Sequence, residues 1–196
     1  MPLTGNEMLK LLKKNGWIER RTEDSHHHLY KDGVRITVPV HGNQDLGKGL
    51  EQRILKDALA SADVFIGVSG PNVLRQHWIF NMAKRTIIFA MANPTPEIFP
   101  DEAIEVGAYI VGTGRSDFPN QINNVLAFPG IFRGALDAQA CRITIEMQLA
   151  AAKALANLIP EKELTPTNII PDVFDSRVTT VVAESVKQVV VERYYI

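Results

Sequence analysis

Asp63-Val64-Phe65-Ile66-Gly67-Val68-Ser69 is a nearly continuous apolar run, and runs of the same kind recur at Thr86 to Ala92 and Ala108 to Thr113. Such runs lack the in-and-out alternation of a strand with one wet face, and they suit parallel strands covered on both sides. Helical patterns fall between and after them. Leu74 to Ala83 would be a crossover helix, and Asn120 to Leu136 another, interrupted at Pro129-Gly130. Ile143 to Leu158 is Ala-rich and helical, and Val178 to Val191 would make a final helix. Strands alternating with helices predict an α/β fold built on a parallel sheet.

Upstream of Asp63 the pattern is different. Thr4 followed by Glu7 has the form of a capping box, and Met8, Leu9, Leu11 and Leu12 recur at helical spacing until Gly16. Trp17 to Thr22, Ser25 to Lys31 and Val34 to Pro39 are short and rich in β-formers. The last two are separated by Asp32-Gly33, a strong two-residue hairpin signal. Gly47 to Leu59 then reads as a helix with Leu50, Ile54 and Leu55 on its apolar side. The expected organisation is an α-β-β-β-α domain over residues 1–59 and a parallel-sheet domain over 60–196. No repeat or low-complexity linker marks the joint, so the boundary is expected to be tight.

With 45% hydrophobic residues in 196, the chain can bury one or two ordinary cores. No apolar run approaches the roughly 20 residues that cross a bilayer, and the first 25 residues are amphipathic and charged, so neither a membrane span nor a secretion signal is expected. The lone Cys141 offers no intrachain disulfide and suits a reducing cytoplasm. The net charge of −1 hides an asymmetry. Residues 1–58 hold ten Lys or Arg against eight acids, and the remainder eleven against fourteen. Lys10, Lys13, Lys14, Arg20 and Arg21 cluster in the first part, which suits either a basic binding surface or an ordinary solvated helix face.

Ser25-His26-His27-His28-Leu29-Tyr30 carries the most unusual chemistry of the first part. Along a strand, His26, His28 and Tyr30 share one face, with His27 and Leu29 on the other. Three adjacent histidines suit a polar surface patch, a metal site or a catalytic base.

The first helix, the Ser-His-His run ahead of an Asp-Gly hairpin, the strand ending Val38-Pro39-Val40-His41-Gly42 and the stretch Gly49 to Ala58 together resemble the HicA toxins of bacterial toxin and antitoxin pairs, over residues 3–58. The resemblance implies a fold like the double-stranded-RNA-binding domain, metal-independent cleavage of messenger RNA by one histidine of the second strand, and a HicB-like antitoxin as partner. Counting from the serine selects His26, and counting back from the tyrosine selects His27. Lys10, Lys14, Arg20 and Arg35 are the implied phosphate contacts. The family usually has glycine where Asp24 stands.

Residues 61–190 resemble the cofactor-binding domain of malic enzymes. The resemblance is carried by Ala62 to Pro71, by Phe89-Ala90-Met91-Ala92-Asn93-Pro94-Thr95-Pro96-Glu97, by the long run Gly112 to Gly130, and by Ile169-Ile170-Pro171 with Phe174 to Val178. It implies a partial Rossmann-like sheet and NAD or NADP as cofactor. In parallel sheets ligands sit beyond the carboxyl ends of the strands, which points to Ser69, Gly70 and Asn93. Asn123 and Asn124 carry over from the family's asparagine pair. No G-x-G-x-x-G for the pyrophosphate is found, and no metal site is expected, because the family's Mg²⁺ or Mn²⁺ ligands and its acid and base residues have no counterpart here.

Three functions fit the sequence: an RNA-cleaving module with a malic-enzyme piece that is inactive alone, a malic-enzyme-derived NAD(P)- or partner-binding protein, and a rearranged product without function. A partial sheet with an apolar edge favours self-association or pairing with a full-length malic enzyme. Sedimentation of the purified chain is expected to give a mass above that of a monomer; a strictly monomeric mass with cooperative unfolding counts against this.

Overall fold

Thr4 starts the first helix as the sequence requires. Its side chain accepts from the Glu7 amide and the Glu7 carboxylate accepts from the Thr4 amide, a complete capping box at the head of α1, Gly5–Lys14. The computed structural model describes residues 3–60 and 62–194. Three antiparallel strands follow α1: β1 (Ile18–Glu23), β2 (His26–Lys31) and β3 (Val34–Pro39), paired in that order. Asp32 and Gly33 both take positive φ, 47° and 81°, as a type I′ turn demands. Asp24, in the β1–β2 turn, also sits in the left-handed region at 52°. That conformation gives the position its reason to favour glycine, and Asp is among the few other residues that tolerate it.

Helix α2 spans Lys48–Leu59. Leu29, Ile36 and Val38 project from one side of the sheet into a core shared with Met8, Leu9, Leu12 and Trp17 and with Ile54 of α2. Both helices therefore cover the same sheet face. The α-β-β-β-α order read from the sequence is the order found.

The second sheet is parallel, as its apolar runs imply, with β4 (Val64–Gly67), β5 (Ile87–Ala90) and β6 (Ile110–Thr113) in the order β4-β5-β6. Its strands are shorter than the runs that announced them. Burial is also uneven, because Val64, Ile66 and Val68 are exposed on β4 and just beyond it. That departs from the expectation of strands buried on both faces.

The helices between the strands differ more. The expected crossover over Leu74 to Ala83 is a single turn, α3 (Gln76–Ile79), and His77–Ala83 groups with the first unit, which otherwise runs to Ala62. The remainder, Asp63–Gln76 and Lys84 onward, forms the second unit. Helix α4 (Pro100–Glu105), unanticipated, connects β5 to β6; proline in its first turn followed by Asp101 and Glu102 is a standard helix start. Likewise Pro129 begins a helix and does not interrupt one. A short 3₁₀ turn, Asn124–Leu126, precedes α5 (Phe128–Asp137), with Pro129 in the first turn. Helices α6 (Ile145–Ala156) and α7 (Arg177–Tyr194) complete the unit.

These last three helices pack through small residues: Ala135, Ala138, Ala151 and Ala154 meet Val182, Val186 and Val190. Gly130 and Gly134 bring α5 against α7. A methyl group at Gly134 would lie 2.4 Å from the Ala183 carbonyl oxygen, and one at Gly130 2.6 Å from Val182. Alanine in a helix interior normally stabilises by about 1 kcal/mol over glycine. At Gly134 the sign reverses: Gly134→Ala is expected to lower stability by about 1–3 kcal/mol through overpacking, read from the urea midpoint.

Candidate functional site

The histidine run occupies the first half of β2, and strand pairing separates its three rings. Leu29 is fully buried against the helices, so His27 lies on the helix-covered side and His26, His28 and Tyr30 on the other. His27 is engaged, its Nδ1–H donating to Glu19 Oε1 at 2.6 Å. His28 is engaged as well, hydrogen-bonded through Nδ1 with the Thr37 hydroxyl at 2.8 Å, with Nε2 3.6 Å from Glu23. His26 is exposed, and its ring meets that of His41 edge-on at 6.1 Å.

Two of the four expected phosphate contacts share the open face with His26. Arg35 pairs with Tyr30 across β2 and β3, and the Arg20 guanidinium stands 5.5 Å from the centre of the Tyr30 ring. Arg20 and Tyr30 line a hollow of about 320 Å³ with Gly16, Ile18, Lys31, Asp32 and Gly33. Four residues of strand, about 13 Å, separate Tyr30 from His26. Lys10 and Lys14 are not brought to this face; they lie on the solvent side of α1, which covers the opposite face of the sheet.

Sequence reasoning missed Glu19. Its carboxylate accepts from Lys13 at 2.5 Å, from the Thr22 hydroxyl at 2.7 Å and from His27. Lys13 foremost, then Thr22 and His27, hold its pKa down at about 2. A β-bulge between Glu19 and Arg21 aims it inward, and no motif announces a bulge.

In the second unit, Ser69, Gly70 and Asn93 lie together at the carboxyl ends of β4 and β5. They line a cleft of about 520 Å³ with Val68, Pro71, Met91, Ala92, Pro94 and Thr95. Asn123 and Asn124 do not line it. Asn123 instead caps the 3₁₀ turn, its Oδ1 accepting from the Val125 amide at 3.0 Å, and Asn124 is exposed.

The cleft is held from beneath by Glu97, which is fully buried. Its Oε1 accepts from the Ser69 amide at 2.8 Å and the Ser69 hydroxyl at 3.3 Å, and its Oε2 from the Ala92 amide at 3.0 Å. Gly67 makes room, since a Cβ there would fall 2.5 Å from the Glu97 carboxyl carbon. A second tie is the buried Asn120, whose Nδ2 donates to the carbonyls of Val111 and Pro166 and whose Oδ1 accepts from the Ile169 amide. Glu97 closes the Asn-Pro-Thr-Pro-Glu run, but nothing in the spacing tells that it points inward. Among the described residues, no three His, Cys, Asp or Glu side chains converge as a metal site would need. No described helix is long and apolar enough to cross a membrane.

Because the folded-state pKa of Glu19 is depressed, its contribution to stability is present above the ordinary carboxylate range and is lost as pH falls toward about 2. The stability gap between the parent chain and Glu19→Gln, read by urea unfolding, is therefore expected to shrink steadily from pH 5 to pH 2. A constant gap would show that Glu19 gains nothing from its partners on folding.

Comparison with known proteins matches both parts. Residues 5–59 match the family model of the HicA toxin of bacterial toxin-antitoxin pairs, and residues 39–191 that of the malic enzyme NAD-binding domain. The bifunctional malic/malolactic enzyme of Bacillus subtilis is 48% identical over 194 residues, an alignment covering 96% of this chain and 46% of that enzyme. The NAD-dependent malic enzyme of Geobacillus stearothermophilus is 57% identical over 141 residues, covering 72% of this chain and 28% of the relative. A crystal structure of Entamoeba histolytica malic enzyme superposes with a TM-score of 0.68 at 43% identity, over 71% of this chain and 29% of that one. The chain thus spans less than half the length of these relatives. It belongs to the malic enzyme NAD-binding-domain family, with residues matching the HicA toxins at its head.

Proposed function

We propose that the first piece, residues 1–59, binds RNA across the open face of its sheet and cleaves it without metal, using the His26 imidazole. The observation that carries this reading is the difference between the three histidines. His27 and His28 are held by Glu19 and Thr37, while His26 stands exposed on the face that also presents Tyr30, Arg20 and Arg35. A ring free to accept a proton is what general base catalysis at a ribose 2′-hydroxyl requires. Guanidinium groups suit phosphates, and an aromatic ring suits an unstacked base. The partners this reading implies are RNA, an antitoxin of the HicB kind and a cytoplasmic setting.

For the second piece, residues 60–196, the reading is an NAD(P)-binding element. The cleft volume falls in the range of small-molecule sites, and its wall combines apolar residues with a few polar groups. The residues fit the nicotinamide end of the cofactor. Asn93 is exposed with both donor and acceptor, Ser69 is fixed by Glu97, and nothing stands within 4 Å of where a Cβ on Gly70 would be. Ser69, Gly70 and Asn93 would hold that end, Asn123 and Asn124 lying farther along the chain. When bound, the nicotinamide supplies hydride acceptance. This chain's residues bind and orient; the fixed Ser69 and Asn93 loops set where the ring can sit. Oxidative decarboxylation of malate is the work of relatives more than twice as long, and is not proposed for this chain alone.

Purified chain is expected to cleave a structured messenger RNA. His26→Ala should lower the rate by about 10²–10⁴-fold, while His27→Ala chiefly lowers stability. Intact RNA after incubation with folded parent chain overturns the reading, and loss confined to His27→Ala transfers the role to His27. Millimolar NAD or NADP should raise the unfolding temperature, and Asn93→Ala should reduce the shift; no shift with either cofactor removes the cofactor reading.

A further inference from the structure

We infer that His41 is a second catalytic residue of the same RNA cleavage, forming with His26 an acid and base pair around one phosphodiester. The inference rests on the RNA-cleavage reading above.

The geometry begins at Gly5. A Cβ on Gly5 would lie 2.3 Å from the Pro39 carbonyl oxygen and 3.0 Å from Val40 Cα, so the head of α1 presses directly on the end of β3. The Val40 amide donates to the Ser25 carbonyl at 2.7 Å, extending the pairing one step past Pro39, which is itself opposite His26. Asn6 Nδ2 donates to the Gly42 carbonyl at 3.3 Å, and Gly42 turns the chain at φ 59°. His41 is thus pinned on both sides by backbone contacts, beside the start of β2. Its ring stands 6.1 Å from that of His26 at an interplanar angle of 86°. Both residues are exposed, and among the described residues no hydrogen bond or ion pair engages either ring. The charged groups at this corner are Asp24 in the turn and Glu23, opposite His26 on β1 and paired with Arg21 and His28. Helix α1 meets it through Gly5 and Asn6, neither of them charged.

A proton-transferring group must come within about 3 Å of its oxygen. Two rings about 6 Å apart can therefore flank one phosphorus, one at the entering 2′-oxygen and one at the leaving 5′-oxygen. The neutral imidazole takes the proton of the 2′-hydroxyl as its oxygen forms the new bond to phosphorus. The protonated imidazole gives its proton to the 5′-oxygen as the P–O5′ bond breaks. The products are a 2′,3′-cyclic phosphate and a 5′-hydroxyl, with no metal and no redox partner, and the pair ends with its protons exchanged.

The test uses the full chain and a structured messenger RNA, with His26→Ala, His41→Ala and the double variant, each checked for folding by circular dichroism. The parent should give a bell-shaped pH–rate profile and cyclic-phosphate ends. Each single variant should lose about 10²–10⁴-fold and one limb of the bell, and the double variant should be scarcely slower than either single one. An RNA with a bridging 5′-sulfur, whose leaving group needs no proton, should restore one single variant and not the other. If His41→Ala keeps the parent rate and both limbs, or if neither variant is restored by the sulfur substrate, His41 is not the partner and the His26 reading stands by itself. If the folded parent leaves RNA intact, both fall together.

Discussion

A single buried carboxylate organises the second unit's cleft. Parallel strands end in separate loops, and the ladder that pairs them stops where those loops begin. Glu97 spans this gap with hydrogen bonds from Ser69 on one side and Ala92 on the other, each shortening the freedom of a loop that lines the cleft. A buried carboxylate would be costly without such donors. The same carboxylate dictates glycine at position 67, because the space that a methyl group would occupy is already filled by the Glu97 side chain. Asn120 performs a related task beyond β6, joining the strand end to the 165–169 segment through three hydrogen bonds. Loop geometry here is thus set by inward-facing polar groups, which fix the backbone of the cleft wall while Asn93 stays exposed.

The first unit relies on strand pairing for the same end. Its sheet has one face buried and one open, so a shift of one residue would exchange the exposed and covered histidines. The Asp32-Gly33 turn prevents that shift by fixing which residues pair, and the Glu19–Lys13–His27 cluster ties the covered histidine to β1 and α1. Residues that seem redundant in a run of three therefore have separate surroundings. One is held by a carboxylate, one by a hydroxyl, and one faces solvent.

Residues 39–59 fall in both family matches, and the Bacillus subtilis relative aligns along nearly the whole chain. An amphipathic helix followed by a strand of a parallel sheet is common to many α/β arrangements, and α2 followed by β4 has that form. The joint accordingly carries no special linker. The grouping of His77–Ala83 with the first unit, in contrast, follows no sequence boundary.

Local rules read directly from the sequence recovered what depends on neighbours in the chain. These are the capped first helix, the two-residue hairpin at Asp32-Gly33, the three strands of the first sheet, the three parallel strands of the second and the place of Ser69, Gly70 and Asn93 at the strand ends. Each follows from periodicity, turn chemistry or the position of strand ends. The start of α5 at Pro129 is also written there, in the preference of proline for a first turn, although the same Pro129-Gly130 pair reads equally as an interruption, and Pro100 opens α4 in the same way without any periodic apolar pattern to announce it. Tertiary structure alone decided the rest. Leu74 to Ala83 has helical spacing yet yields one turn, since a short helix persists only where packing sustains it. Glu19 and Glu97 point inward, Gly134 is required by α7, Lys10 and Lys14 are turned away from His26, and His41 stands beside His26. All of these are meetings between residues distant in the chain, and no local pattern records which side chain a folded backbone will bring within reach of another.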